Sequence, residues 1–172
     1  MALPLPAQTH VPHYPHHLRQ FDYRGFYRYF LTFCTHHRTP HFATPQNVDL
    51  VREQFQRTCT EQRFAGIAYC FMPDHLHLLV AGERDDADLK RFIKNAKQYS
   101  GFHFRRQTGL MLWQRYGFEH VLRGDEDTMN VADYIIANPV RAGLVTSPAA
   151  YPYWGSFLYS RAELLEYIRR AT

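Results

Sequence analysis

The sequence predicts an α+β fold in a single domain, with a central antiparallel sheet packed with helices. Three observations carry that prediction. Runs rich in aromatic and β-branched residues, at 27–34, 64–72 and 75–80, show the two-residue alternation or apolar density of strands. The second and third runs are separated only by Pro73-Asp74, a turn signal that reads as a hairpin bend. Between and after the strands lie segments whose apolar residues recur at helical spacing. A chain of 172 residues is most simply one domain and buries a core without disulfide or metal staples.

Taken in order, residues 1–23 open with prolines that exclude a regular helix or central strand and read as an irregular arm. Its histidines, His10, His13, His16 and His17, match no defined metal-site spacing. From Arg24 the pattern changes: Tyr27, Tyr29, Leu31 and Phe33 alternate with Arg28, Phe30, Thr32 and Cys34 as the first core strand. His36, His37 and His41 follow in a loop and read as solvated side chains. Thr44-Pro45 is an N-cap with proline at the first helical position, and Val48, Val51 and Phe55 continue that helix to about Arg63. Phe64 to Met72 and the strand from His75 form the hairpin. The acidic turn before Leu89 favours a helix start, since carboxylates suit the positive end of the helix dipole, and a second helix is expected from about Ala87 to Arg106. Leu112 to Leu122 reads as one strand, with Gly117 permitting a bulge. Gly124-Asp125 starts another helix, with Asp125, Glu126 and Asp127 at its positive end and Pro139 stopping it after Asn138. The division is an arm at 1–23, a core domain at 24–146 and a tail at 147–172, whose RAELLEYIRR segment packs as a final helix.

Composition narrows the class. A formal charge of +4 with interleaved Tyr, His and Arg suits an anionic partner. Cys34, Cys59 and Cys70 are scattered and include no CxxC, which argues against a disulfide framework and a thiolate zinc site. No apolar run approaches the roughly 20 residues of a membrane span, and the N-terminus has no signal-peptide core. A soluble cytoplasmic protein with no membrane partner is expected.

The chemistry concentrates in FMPDHLHLLV, Phe71 to Val80. Strand side chains alternate, so His75 and His77 project from one face while Leu76 and Leu78 enter the other layer. Two neutral imidazoles on a rigid strand can hold a divalent cation; they can equally be half-buried histidines bonded to backbone or water. Tyr134 and Asn138 sit four apart and offer a phenol and a carboxamide on one helix face. Tyr99 and His103 repeat that spacing, and spacing alone does not separate the two pairs. Tyr116, in the expected strand beside Trp113, reads as packing. Lys90, Arg91, Lys94, Lys97, Arg105 and Arg106, with Arg115 beyond them, form either a solvated face or a track for phosphates, with rings among them to stack on unpaired bases.

The segments MPDHLHLLV, LWQRYGFEHVLR, ADYIIANPVRAGLV and AYPYWGS, in this order from about Arg24 to Ser156, resemble the REP-associated tyrosine transposases, members of the single-tyrosine HUH nucleases. The resemblance implies a ferredoxin- or RRM-like HUH fold. It implies metal binding by His75, His77 and Asn138, with magnesium or manganese as cofactor, and Tyr134 as nucleophile. Asp74 stands where many relatives have asparagine. The implied function is cleavage of single-stranded or hairpin DNA of the REP palindrome type through a 5′-phosphotyrosine, followed by strand joining, by a monomer, or alternatively a homodimer, associated with the nucleoid. Two other classes remain at this point: a metal-dependent phosphodiesterase without a covalent intermediate, and a DNA-binding module without catalysis.

Overall fold

The computed structural model describes residues 21–123 and 127–171. The arm up to residue 20, and the expected helix start at Gly124-Asp125 with Glu126, lie outside the described residues. Five strands form one antiparallel sheet in the order β4-β1-β3-β2-β5, where β1 is Arg28–Cys34, β2 Phe64–Met72, β3 His75–Gly82, β4 Phe118–Leu122 and β5 Trp154–Gly155. Among the described residues five α-helices accompany them: α1 Pro45–Gln62, α2 Leu89–Thr108, α3 Thr128–Ile136, the four-residue α4 Asn138–Arg141 and α5 Arg161–Ala171. Among the described residues no helix is long and apolar enough to cross a membrane.

The hairpin turns at Pro73-Asp74 and places β3 at the centre, so that Met72 faces His75 and Cys70 faces His77 on one side, with Cys34 and Thr32 opposite the same histidines on the other. Alternation then sorts the sheet into two cores. Leu76, Leu78 and Val80 join Tyr29, Leu31 and Phe33 under α1 and α2, whose Val51, Phe55, Phe92 and Phe104 are buried against them. Leu79, with Ala68, Cys70 and Met72 of β2, meets Ala132, Ile135 and Ile136 of α3 and Leu164 and Ile168 of α5. His75 and His77 share the parity of Leu79 and therefore lie on the α3 face.

Helix ends follow local chemistry. Thr44 occupies the N-cap position of α1 with Pro45 inside the helix, but its side chain makes no capping bond. Asp88 caps α2 by accepting from the Arg91 amide, and Gly109 at φ 76° closes it, so the helix starts two residues after the expected start and ends two residues beyond the expected end. The α3 helix begins at Thr128 because the Asp127 carboxylate accepts from the amides of Met129 and Asn130 at 2.6 and 3.2 Å. It ends at Ile136. Pro139, expected to stop this helix, instead sits in the first turn of α4, where its missing amide costs nothing.

The expected strand from Leu112 to Leu122 is shorter than the pattern suggested. Only Phe118–Leu122 pairs continuously with β1; Trp113 makes a single bridge to Thr35 and the intervening residues are irregular. Gly117 forms no bulge. It is the point of close approach where β4 begins, since a Cβ there would lie 2.9 Å from the Thr32 carbonyl oxygen.

The tail is tied to the sheet. The β5 strand pairs with β2 through Tyr69 and Cys70, the Tyr151 hydroxyl donates to the Phe71 carbonyl at 2.7 Å, and Arg161 donates to the Trp154 carbonyl while lying 4.5 Å from the Trp154 ring centre. This holds α5 against α3, so the helix carrying Tyr134 is supported from both the sheet and the tail.

Candidate active site

The two strand histidines converge. Their Nε2 atoms are 3.1 Å apart and their rings are nearly perpendicular. Each ring is held from behind: the Nδ1 of His75 faces the Asp74 carboxylate at 2.6 Å, and the Nδ1 of His77 faces the Thr32 hydroxyl at 2.9 Å. Arg38 in turn fixes Asp74, with Nε 2.8 Å from its other oxygen. A Nδ1–H donated to Asp74 leaves the Nε2 lone pair of His75 free to ligate. Burial lowers the pKa of His75 against the opposing pull of Asp74. Burial, reinforced by His75 and two arginines, pushes His77 down to about 3, so both rings are neutral at physiological pH.

These features fit a divalent cation. Neutral imidazole nitrogens with oriented Nδ1 partners are the usual donor set. Two adjacent ligands on a cation with bonds of about 2.1 Å stand about 3 Å from each other, close to the separation found here. Among the described residues no group of three or more His, Cys, Asp or Glu forms a metal cluster. Among the described residues, a third protein ligand would be of another type, such as a carboxamide.

Asn138 belongs to the same face of the sheet, at the junction of α3 and α4. Its amide nitrogen donates to the carbonyls of Tyr134 at 3.1 Å and Ile135 at 3.3 Å, which fixes the side chain and leaves Oδ1, the atom a metal takes, without a donor among the described residues. Tyr134 is half exposed, at 50%. Its ring packs edge-on against Phe30 with centroids 6.0 Å apart, and Phe30 also lies against His77 at 5.4 Å. Phe30 thus links the tyrosine to the histidine pair. The guanidinium of Arg141 lies over the Tyr134 ring, 3.8 Å from the centroid, and its Nη2 donates to the Tyr134 carbonyl at 2.6 Å.

The competing tyrosines are placed elsewhere. Tyr99 and His103 ride on α2, on the opposite face of the sheet, and the Tyr99 ring is covered by Arg57 of α1 at 4.7 Å. Tyr116, expected in a rigid strand, lies in the irregular segment before β4 and is 72% exposed. Of the basic residues, Lys90, Arg91, Lys94, Arg105, Arg106 and Arg115 are exposed. Lys97 is different: it donates to the carbonyls of Gln114 at 2.7 Å and Arg115 at 2.9 Å, and burial lowers its pKa. Its ammonium ties α2 to the segment before β4 instead of standing free.

Sequence reasoning did not single out Arg141, Phe30, Thr32 or Arg38. Strand register pairs Thr32 with His77, a relation readable only once the β1–β3 pairing is known. Arg141 lies beyond Pro139, where the expected helix stops, so its approach to Tyr134 is not readable from the spacing within that helix.

An antiparallel sheet presenting a histidine pair beside a helix-borne tyrosine defines a class, and the comparisons agree with it: the family described as "Transposase IS200 like" matches residues 26–138. A protein of Haemophilus influenzae assigned as a REP-associated tyrosine transposase is 32% identical over 144 residues, covering 73% of this chain and 77% of its own length. The REP-associated tyrosine transposase of Escherichia coli K12 is 28% identical over 138 residues, covering 77% and 80%. Among solved structures, a REP-associated tyrosine transposase bound to a REP hairpin superposes with a TM-score of 0.66 at 25% identity and covers 79% of each chain. The chain belongs to the REP-associated tyrosine transposases.

Proposed function

We propose that this protein cleaves and rejoins single-stranded or hairpin DNA of the REP type, using Tyr134 as nucleophile and a magnesium or manganese ion held by His75, His77 and Asn138. The observation that carries the reading is the convergence of the two Nε2 atoms at 3.1 Å on the sheet face where Phe30 connects His77 to Tyr134. The solved relative bound to a REP hairpin supports the substrate class. The exposed lysines and arginines of α2 suit phosphates, whose neutralisation releases counterions.

When bound, the metal supplies Lewis-acid polarisation and orientation of the scissile phosphate. The chain does the rest. Asp74 and Thr32 hold the imidazoles in the ligating orientation, and Arg38 holds Asp74. Tyr134 attacks phosphorus through its hydroxyl oxygen, the P–O3′ bond breaks, and the phenolic proton passes to solvent while the leaving 3′-oxygen takes one up. The new bond is a 5′-phosphotyrosine. A 3′-hydroxyl attacking it reverses the step and rejoins strands without another energy source. A phenol of pKa about 10 is a weak nucleophile at neutral pH. The guanidinium of Arg141 over the Tyr134 ring holds the ring in place.

Incubating the protein with end-labelled single-stranded palindromic DNA and magnesium or manganese tests the reading. A metal-dependent, protein-linked band on a denaturing gel is expected. Cleaved DNA with no protein attached would instead indicate a hydrolytic phosphodiesterase, and no cleavage with retained binding would indicate a binding module.

A further inference from the structure

We propose that the groove between the C-terminal half of α2 and Met111–Trp113 holds unpaired bases of the DNA, at a place separate from the cleavage centre. The inference rests on the DNA-binding part of the function proposed above and is independent of the cleavage chemistry.

The groove has a volume of about 430 Å³ and is lined by Lys97, Gly101, Phe102, Arg105, Met111 and Trp113, among others. Its floor is built and held. The Trp113 indole donates to Ser100 at 2.8 Å, and Gly101 leaves the space beside that indole open, the nearest atom to a Cβ there being Trp113 Cδ1 at 3.8 Å. Lys97 clamps the adjoining segment through two carbonyls. Apolar side chains nevertheless stand open at its rim: Phe102 is 57% and Met111 56% exposed. Arginines accompany the exposed rings, Arg106 lying 5.6 Å from the Phe102 centroid and Arg115 5.4 Å from that of Tyr116.

Charge selects the occupant. Between Asp88 and Glu119 the chain carries seven lysines and arginines and no carboxylate. A second copy would bring the same positive charge to the contact, whereas a polyanion is attracted. An apolar floor with flanking arginine–aromatic pairs suits bases whose faces are free, and in a duplex those faces are already stacked. The location fits a strand continuing from the cleavage centre. Leu112 accepts from the His36 amide at 2.8 Å just past the end of β1, where Cys34 is the register partner of His75. A single strand turning around this end of the sheet would reach the groove from the histidine face.

Fluorescence anisotropy in chelator, where cleavage plays no part, tests the inference with two labelled DNAs: a hairpin carrying an unpaired flank and the same stem without it. Phe102→Ala and Met111→Ala should weaken binding of the flanked hairpin by about tenfold, as expected for loss of one stacked base, and leave the blunt hairpin unaffected. The flanked DNA should also quench emission from Trp113, one of two tryptophans, the other being buried under α5. Equal weakening for both DNAs, or no weakening for either, overturns the proposal. So does a concentration-dependent dimer that Phe102→Ala dissolves while DNA affinity is unchanged, which would assign the groove to a second copy. Failure of the wild type to bind either DNA would remove the DNA-binding reading as well, while absence of cleavage would leave this result standing.

Discussion

Arg141 lies against the ring of Tyr134 with its guanidinium carbon 3.8 Å from the centroid, and it donates to the backbone carbonyl of the same residue at 2.6 Å. Phe30 also packs against the ring at 6.0 Å, so the phenol is held by both a cation and an aromatic ring. These two contacts restrict the directions from which the hydroxyl can reach a phosphate. Arg141→Ala should therefore slow adduct formation by up to about 100-fold at saturating DNA, the scale of a small misplacement of a reacting group. Arg141→Lys, which keeps charge but lacks the planar fork, should recover only part of the loss. An unchanged single-turnover rate in Arg141→Ala would remove the positioning role.

The Arg38–Asp74–His75 relay gives a second expectation. Removing a carboxylate behind a metal-binding histidine typically lowers metal affinity about 10- to 100-fold. Asp74→Ala should do so, read by manganese titration under electron paramagnetic resonance. Asp74→Asn should be milder, because the amide oxygen can still accept from Nδ1. Equal manganese affinity in all three proteins would show that Asp74 does not orient the ligand.

Stability of the metal-free protein should depend on pH through the buried histidines. The His77 pKa falls from 6.5 to about 3 on folding, and that of His75 is also lowered, burial being the main cause for both. Within this window the unfolded chain binds protons that the folded chain refuses, so these groups make stability rise with pH. Their penalty is absent above the unfolded pKa and grows as pH drops below it. Urea midpoints should decline from about pH 7 to about pH 5, and His77→Gln should flatten the decline. An equally steep decline in His77→Gln would assign it to other groups.

Much of this arrangement was legible beforehand, and the reasons for the exceptions are physical. The histidine face could be read because strand alternation is rigid and Leu76 and Leu78 demand the opposite layer. The hairpin followed from Pro73-Asp74. The segment before β4 was misread because its aromatic residues serve tertiary packing: Trp113 is buried beneath α2 and bonded to Ser100, so apolar content there reflects core filling and not strand pairing. The end of α3 was misplaced because proline also suits the start of a new helix. Spacing could not distinguish Tyr134 from Tyr99. The fold puts the two on different faces, with the sheet between Tyr99 and the histidine pair.

The central claim is that Tyr134 makes the covalent bond, and the measurement that tests it most directly is adduct formation by Tyr134→Phe on labelled single-stranded palindromic DNA with manganese. The substitution removes one hydroxyl and keeps the ring's contacts with Phe30 and Arg141, so fold, metal binding and DNA binding should persist. The account predicts no protein-linked DNA from Tyr134→Phe and a wild-type amount from Tyr99→Phe. A covalent adduct persisting in Tyr134→Phe would contradict it, and loss of the adduct in Tyr99→Phe alone would move the nucleophile to the other face of the sheet.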